Sequence, residues 1–152
     1  MTTTITTIGY EAATVPGFLE TLTAAGVELL VDVRAVASSR RPGFSKTRLA
    51  ANLAEAGIGY VHLRGLGTPA DGRAAARAGR HAEMQRVFAA HLATHDAQAE
   101  LHELAELVEG GRRVCLLCFE ADPAHCHRTL VAEALAKLVP VRVQHLHPVD
   151  EE

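Results

Sequence analysis

Aromatic residues are scarce in this chain of 152 residues: there is no Trp, and only two Tyr and four Phe occur. No apolar run approaches the roughly 20 residues needed to cross a bilayer as a helix, so a membrane partner is not expected. The opening Met1-Thr2-Thr3-Thr4 has neither the basic region nor the apolar stretch of a secretory signal. A cytoplasmic location is expected by default. Positive charge is not in excess: 15 Lys and Arg stand against 18 Asp and Glu, for a net charge of −3. Broad, non-specific nucleic-acid binding needs a basic surface and is not favoured by this balance, although a local basic site stays open. The cysteines number three, an odd count that excludes a closed set of disulfides. A glycine-rich phosphate loop of the Walker or dinucleotide type is missing, and Gly65-Leu66-Gly67 is too short to name a cofactor. No cofactor is implied.

What is present is ordinary in bulk and unusual in detail. Apolar residues make up 48% and charged residues 22%, values of a soluble globular chain rather than a disordered or collagen-like one. The length suits one domain with a sizeable core. The unusual features are nine His and an excess of Arg over Lys of 13 to 2. Arg-rich anion chemistry and a biased composition both account for the second.

Five apolar stretches read as strands: residues 5–8, 27–33, 58–63, 113–119 and 141–146. Helical spacing fills the gaps. Thr14 can cap a helix through Val15, Phe18, Leu19 and Leu22, with Pro16 in its first turn and Gly26 past its end. Ser45 can cap one through Leu49 and Leu53, ended by Gly57. Met84, Val87, Phe88 and Leu92 mark a helix over 81–92, and Asp96 can cap another through Leu101, Leu104 and Val108. A last helix lies within 123–138. Residues 70–80, rich in Ala, Arg and Gly, read as a mobile insertion or a short irregular helix. The alternation predicts a single α/β domain: a mostly parallel sheet of about five strands, flanked by helices and joined by right-handed crossovers.

In such sheets ligands bind beyond the carboxyl ends of the strands. Those ends carry Gly9-Tyr10-Glu11, Asp32-Val33-Arg34, His62-Leu63-Arg64, Cys118-Phe119-Glu120 and His145-Leu146-His147. The other ends carry mostly small or apolar residues. Asp32 and Arg34 share a face, as do Cys118 and Glu120. Polar groups there need partners or a ligand, so Asp32 with Arg34 is either a structural ion pair or part of a site.

The cysteines separate by position. Cys115 and Cys118 have redox-motif spacing, but both fall inside a strand pattern, where residues three apart face opposite ways. Cys115 is therefore expected in the core. Cys118 is either core or at the site. Cys126, followed by His127 and Arg128, lies at or near a helix start, where the helix dipole and Arg128 would lower a thiol's pKa and attract an anion. The alternative packs Cys126 under the loop and pairs Arg128 with Glu120. Cys118, Cys126 and His127, with His125 near, also offer soft ligands suited to zinc, but the spacing matches no standard zinc knuckle, and an anion site is the preferred reading. His81, His91, His95 and His102 are expected on the surface. Arg40 and Arg41, on the loop after the second strand, could join Arg34, Arg64 and Arg128 in an anion-binding cluster.

These motifs resemble the bacterial and archaeal proteins grouped as domain of unknown function 488. The likeness is carried by Thr7-Ile8-Gly9-Tyr10, Leu30-Val31-Asp32-Val33-Arg34, Ser39-Arg40 with Phe44, Ile58-Gly59-Tyr60-Val61-His62-Leu63 with Leu66-Gly67, Leu117-Cys118-Phe119-Glu120, and Cys126-His127-Arg128. It runs over nearly the whole chain in one order. The chain departs from the family's usual pattern at Tyr10, often His, and at Thr68, often Gly or similar. The resemblance implies an α/β fold and points to Asp32, Arg34, Arg40, Glu120, Cys126, His127 and Arg128. A looser similarity to rhodanese-like sulfurtransferases rests on a strand-end Cys followed by Arg at a helix start. Nine residues separate Cys118 from Arg128, too many for the compact anion-cradling loop of those enzymes.

The leading expectation is an enzyme acting on an anionic small-molecule or nucleotide-like substrate. Arg34, Arg40, Arg64, His127 and Arg128 would hold the anion, Asp32 or Glu120 would act as acid or base, and Cys126 as nucleophile. A binding module without chemistry and a sulfurtransferase are the alternatives.

Overall fold

The computed structural model describes residues 2–149. Strands and helices alternate in the order β1 (Thr3–Gly9), α1 (Val15–Ala24), β2 (Leu29–Asp32), α2 (Lys46–Glu55), β3 (Gly59–His62), α3 (Ala70–Arg77), α4 (His81–Leu92), α5 (His95–Glu109), β4 (Val114–Cys118), α6 (His127–Ala136) and β5 (Val141–Leu146). Single 3-10 turns precede α3, at Arg64–Leu66, and α6, at Pro123–His125. The strands form one parallel sheet in the order β3-β2-β4-β1-β5. Among the described residues no helix is long and apolar enough to cross a membrane.

The local signals explain most element boundaries. The Thr14 hydroxyl accepts from the Gly17 amide at 3.1 Å, and Gly26 turns the chain after α1 with φ +72°. At α5 the cap is Thr94, whose hydroxyl accepts from the Ala97 amide at 3.4 Å, and not Asp96, which falls inside the first turn. Residues 70–80 hold the short helix α3. Its Ala75 is fully buried, and its Gly72 admits Thr68 and Val87 so closely that a Cβ would meet them at 2.4 and 3.1 Å.

Each strand sends alternate side chains to opposite faces, and each face has its own helices. On one side α1 and α2 bury Phe18, Leu22, Leu49 and Leu53 against Ile8, Leu30 and Leu117. On the other, α3 to α6 bury Phe88, Leu104, Val131 and Leu135 against Val31 and Leu116. Burial of one such side chain is worth about 1.5–3 kcal/mol. This winding fixes where a ligand can enter. The chain leaves β1 and β2 toward the first face and leaves β4, which lies between them, toward the second. Connections diverging from neighbouring strands open a crevice at their carboxyl ends. The register brings Gly9 beside Cys118, and Asp32 beside both Leu117 and His62.

Gly9 is required by close approach rather than by its backbone angles. A Cβ there would lie 1.8 Å from the Glu120 carbonyl oxygen, which accepts a hydrogen bond from Arg128. Gly9→Ala must push this loop away, and is expected to cost about 1–3 kcal/mol, as overpacking does. Urea unfolding should show a lower midpoint at unchanged slope. A stability within about 0.5 kcal/mol of the parent would contradict the close contact.

Candidate functional site

The crevice is framed by the residues that end β2. Arg34 folds back onto Asp32, with Nε 2.9 Å from Oδ1 and 3.1 Å from Oδ2, and Nη2 2.7 Å from Oδ2. The Arg34 amide donates to Oδ1 at 3.0 Å, and the Tyr60 hydroxyl of β3 donates to Oδ2 at 2.6 Å. Burial and the bond to Asp32 both push the Tyr60 phenol up, so it stays protonated. Arg34 Nη1 reaches across to Tyr10 Oη at 3.1 Å and to the Phe44 carbonyl at 2.8 Å. The ion pair is sealed: Asp32 is 0% and Arg34 4% exposed. Both Asp32 oxygens are thus committed, and Asp32 does not line the cavity. Of the two roles open for it in the sequence, it occupies that of a structural ion pair, holding together the ends of β1, β2 and β3.

A cavity of about 240 Å³ lies over this frame, against the end of β4. Cys118, Glu120 and His127 line it, together with Arg34, Arg73 and Arg77. Tyr10, Val36, Met84 and Phe119 add apolar wall. His127 is the first residue of α6, and its Nε2 lies 2.6 Å from the Val33 carbonyl. A carbonyl only accepts, so Nε2 carries the proton and Nδ1 faces the Cys118 sulfur at 3.3 Å. Cys126 occupies the N-cap of the same helix. Its sulfur, the Cys118 sulfur and a ring nitrogen of His127 all lie within 4.8 Å of one another.

The two thiols have opposite electrostatic settings. Burial pushes the Cys126 thiol up, but hydrogen bonds from Cys118 and His127 and the charges of His127 and Arg128 outweigh it, leaving Cys126 well below its ordinary range. Burial, then the neighbouring Cys126 and Glu120, hold Cys118 well above that range. His127 goes up: burial opposes its charge, but Cys126 favours it more strongly. Burial, followed by the charge on Cys126, pushes the Glu120 carboxyl up to about 7. The two thiols are thus pushed in opposite directions. It is Cys118, however, that faces the cavity, and Cys126, 2% exposed, sits behind it.

Arg128 lies deeper still. It is fully buried and does not line the cavity. Its Nε donates to the Thr7 hydroxyl at 3.1 Å, Nη1 to the Glu120 carbonyl at 2.5 Å and Nη2 to the Ala121 carbonyl at 3.4 Å. Thr7 in turn bonds His145 Nδ1 at 2.6 Å, which ties in β5. The contact with Glu120 is thus made through the backbone of that residue, not through its carboxylate. Among the described residues, no carboxylate forms an ion pair with Arg128.

The anion cluster expected from Arg34, Arg40, Arg64 and Arg128 does not assemble. Arg40 is exposed and outside the cavity, and Arg64 lines, with His91 and Glu100, an adjoining groove that shares Val36, Thr68 and Arg73 with the cavity. The cationic residues that do reach the cavity beside Arg34 are Arg73 and Arg77 of α3. Their four-residue spacing puts them on one helix face, a signal hidden by reading 70–80 as an insertion. His125 also lines the cavity, its ring stacked 3.9 Å from that of His81. His95 and His102 are exposed as expected, but His81 and His91 are half-buried, with His91 Nε2 donating to the Gly65 carbonyl at 2.7 Å. His62 Nε2 donates to the Arg34 carbonyl at 2.7 Å and so supports the frame. Cys115 is fully buried on the α1–α2 face, opposite Cys118, and burial pushes its thiol up to about 12.

Asp32→Ala leaves Arg34 buried without its counter-charge. A stability loss of about 3–5 kcal/mol is expected in chemical denaturation, with partial recovery when Asp32→Leu is combined with Arg34→Met. A loss below about 1 kcal/mol, the level of an exposed pair, would show that the frame does not depend on this ion pair.

No curated protein and no solved structure matches the chain. A family match does exist, and it covers Asp32, Arg34 and Tyr60 of the frame, the cavity residues of α3 and the Cys118–Arg128 loop, but not β1 or Tyr10. Over residues 14–135 the chain matches the family described as Domain of unknown function DUF488, and it belongs to that family.

Proposed function

We propose that this chain is an enzyme acting on a small anionic molecule, nucleotide-like in joining a charged group to an apolar or aromatic part. One observation carries this reading: a single cavity is lined both by Arg73 and Arg77 and by Cys118, Glu120 and His127. Cations of this kind bind phosphate, sulfate or carboxylate. The thiol, carboxyl and imidazole are groups that donate, accept or attack. Tyr10 and Phe119, edge to face with centroids 5.3 Å apart, offer the apolar part of the ligand a wall. Phe119 is 42% and Val36 51% exposed, so both are open to contact with a ligand.

In this reading Arg73 and Arg77 take the substrate's charge, and Arg34, with most donors committed, adds a fixed positive field. Glu120 transfers a proton and Cys118 is the sulfur that meets the substrate. Cys126 supports it from behind. Asp32 and Arg128 act as positioning residues, and Arg40 and Arg64 take no part. The cavity, at about 240 Å³, lies just under the ~300 Å³ at which ligand pockets usually begin, which favours a small ligand over a polymer. The sulfurtransferase alternative has less support, because the donors of Arg128 are spent on Thr7 and two backbone carbonyls. Three free thiols suit the reducing cytoplasm.

The test is a thermal-shift screen of phosphate-, sulfate- and carboxylate-bearing small molecules, nucleoside monophosphates included. Each stabilising compound is then measured against Arg73→Ala/Arg77→Ala, Glu120→Gln and the remote Arg142→Ala. A charged hydrogen bond is worth about 1.5–3 kcal/mol, so the double variant should bind roughly 10–100-fold more weakly. Arg142→Ala should bind as the parent does, and Glu120→Gln should bind but not turn over. Equal binding by the double variant would overturn the site. Tight binding by the parent with no turnover of any ligand would favour the non-catalytic binding module.

A further inference from the structure

We propose that Cys118, Cys126 and His127 together hold one zinc ion, with a coordination position left open toward the cavity. Zinc sites that do chemistry keep three protein ligands and one free position, and a Cys₂His set is one of the known combinations. The three donor atoms already lie within 4.8 Å of one another, and the His127 Nδ1 to Cys118 Sγ separation is 3.3 Å.

The setting of His127 is what a metal ligand needs. Its Nε2 proton is spent on the Val33 carbonyl at 2.6 Å. That bond fixes the ring orientation and leaves the Nδ1 lone pair aimed at the sulfurs. Ligating histidines almost always have such an outer partner. The charge also closes. Two thiolates and a neutral imidazole balance a divalent cation, which suits a group whose three residues are 5%, 2% and 6% exposed. Soft sulfur and imidazole donors select zinc over magnesium or calcium.

The donors come from two fixed points, the last residue of β4 and the start of α6, and the loop between them is clamped by Arg128. Cys126 and His127 are consecutive yet can converge, because Cys126 is still extended, at φ −123° and ψ 140°, while His127 begins the helix. This geometry also explains why no standard zinc spacing marks the sequence: seven residues separate the two cysteines and none separates Cys126 from His127. Cys118 and His127 line the cavity and Cys126 does not, so the fourth position faces the cavity. The Glu120 carboxyl, with Oε2 3.6 Å from the Cys118 sulfur, stands next to it.

The metal rests on the proposed enzyme reading in one respect and alters it in another: with zinc bound, Cys118 is a ligand, and the open position rather than its sulfur meets the substrate. An anion held by Arg73 and Arg77 would present an oxygen to the open position. The ion-binding claim stands or falls by itself.

The test uses the full chain, reduced and stripped with a chelator. Zinc is titrated against a chromophoric chelator, and cobalt(II) is added in parallel as a spectroscopic probe. The expected result is one ion per chain, with a thiolate-to-cobalt charge-transfer band and the strong visible bands of a tetrahedral site. Cys118→Ser and Cys126→Ser should each weaken zinc by more than the ~10–100-fold that loss of an outer-shell partner costs, whereas Cys115→Ser should bind as the parent does. If a variant misfolds, the parent still decides the matter: zinc should shield Cys118 and Cys126 from alkylation. Absence of stoichiometric binding, or unprotected Cys118 and Cys126 in the zinc-treated parent, would overturn the proposal. So would a Cys118–Cys126 disulfide as the form isolated under reducing conditions. Zinc bound by a chain that ignores every anion keeps the metal site and removes the substrate reading. Anion binding by a chain that takes no zinc does the reverse.

Discussion

A cation buried without a counter-carboxylate is the constraint on which the site depends. Arg128 is the largest fully buried side chain, and a guanidinium stays protonated even there. Removing it from water is tolerable only because its donors meet the Thr7 hydroxyl and the carbonyls of Glu120 and Ala121. Those partners belong to β1 and to the loop after β4, while Arg128 itself belongs to α6. One side chain thus sets the distance between the end of β4 and the start of α6. That distance brings Cys118 to Cys126 and His127. Burial raises the Cys126 thiol, and hydrogen bonds from Cys118 and His127, followed by the charges of His127 and lastly Arg128, bring it below its ordinary range.

The second buried cation, Arg34, solves the same problem differently. It has a carboxylate, Asp32, and the pair spans β2 to Tyr60 of β3 and Tyr10 after β1. Between them, the two arginines tie four of the five strand ends into one floor. The sheet order supplies the crevice and the arginines keep it in shape. The cavity over this floor is lined by Cys118, Glu120 and His127, and by Arg73 and Arg77 of α3.

Much of this was legible in the sequence because it rests on short-range patterns. Apolar stretches marked all five strands, and Thr14, Gly26 and Gly57 marked helix ends. The crowding of Asp32, Arg34, Cys118 and Glu120 at one kind of strand end pointed to the end of the sheet where the cavity lies. Three things were not legible. Partner choice is decided by long-range packing: Arg128 meets the backbone of Glu120 rather than its carboxylate, and no local pattern distinguishes the two. Exposure within a cluster has the same character, so that Cys126 could be placed at a helix start but not behind Cys118. The role of α3 was obscured by composition. Its run of Ala, Arg and Gly lacks large apolar residues, and its burial through Ala75 and Gly72 depends on smallness rather than hydrophobic bulk. Arg40, on the loop after β2, and Arg64, just past β3, are both exposed and lie outside the cavity lining.

The account's central claim is that Arg128 fastens the loop after β4 and the start of α6 to the end of β1. Native-state hydrogen exchange on Arg128→Met tests it most directly. The replacement leaves the Glu120 and Ala121 carbonyls and the Thr7 hydroxyl without their donor, at about 1–3 kcal/mol for each group that stays buried. The result expected is a loss of protection confined to amides of the 119–130 segment, with β1, β2 and β4 amides still protected to the level of global unfolding. Unchanged exchange across the loop, or an equal loss across the whole sheet, would contradict it.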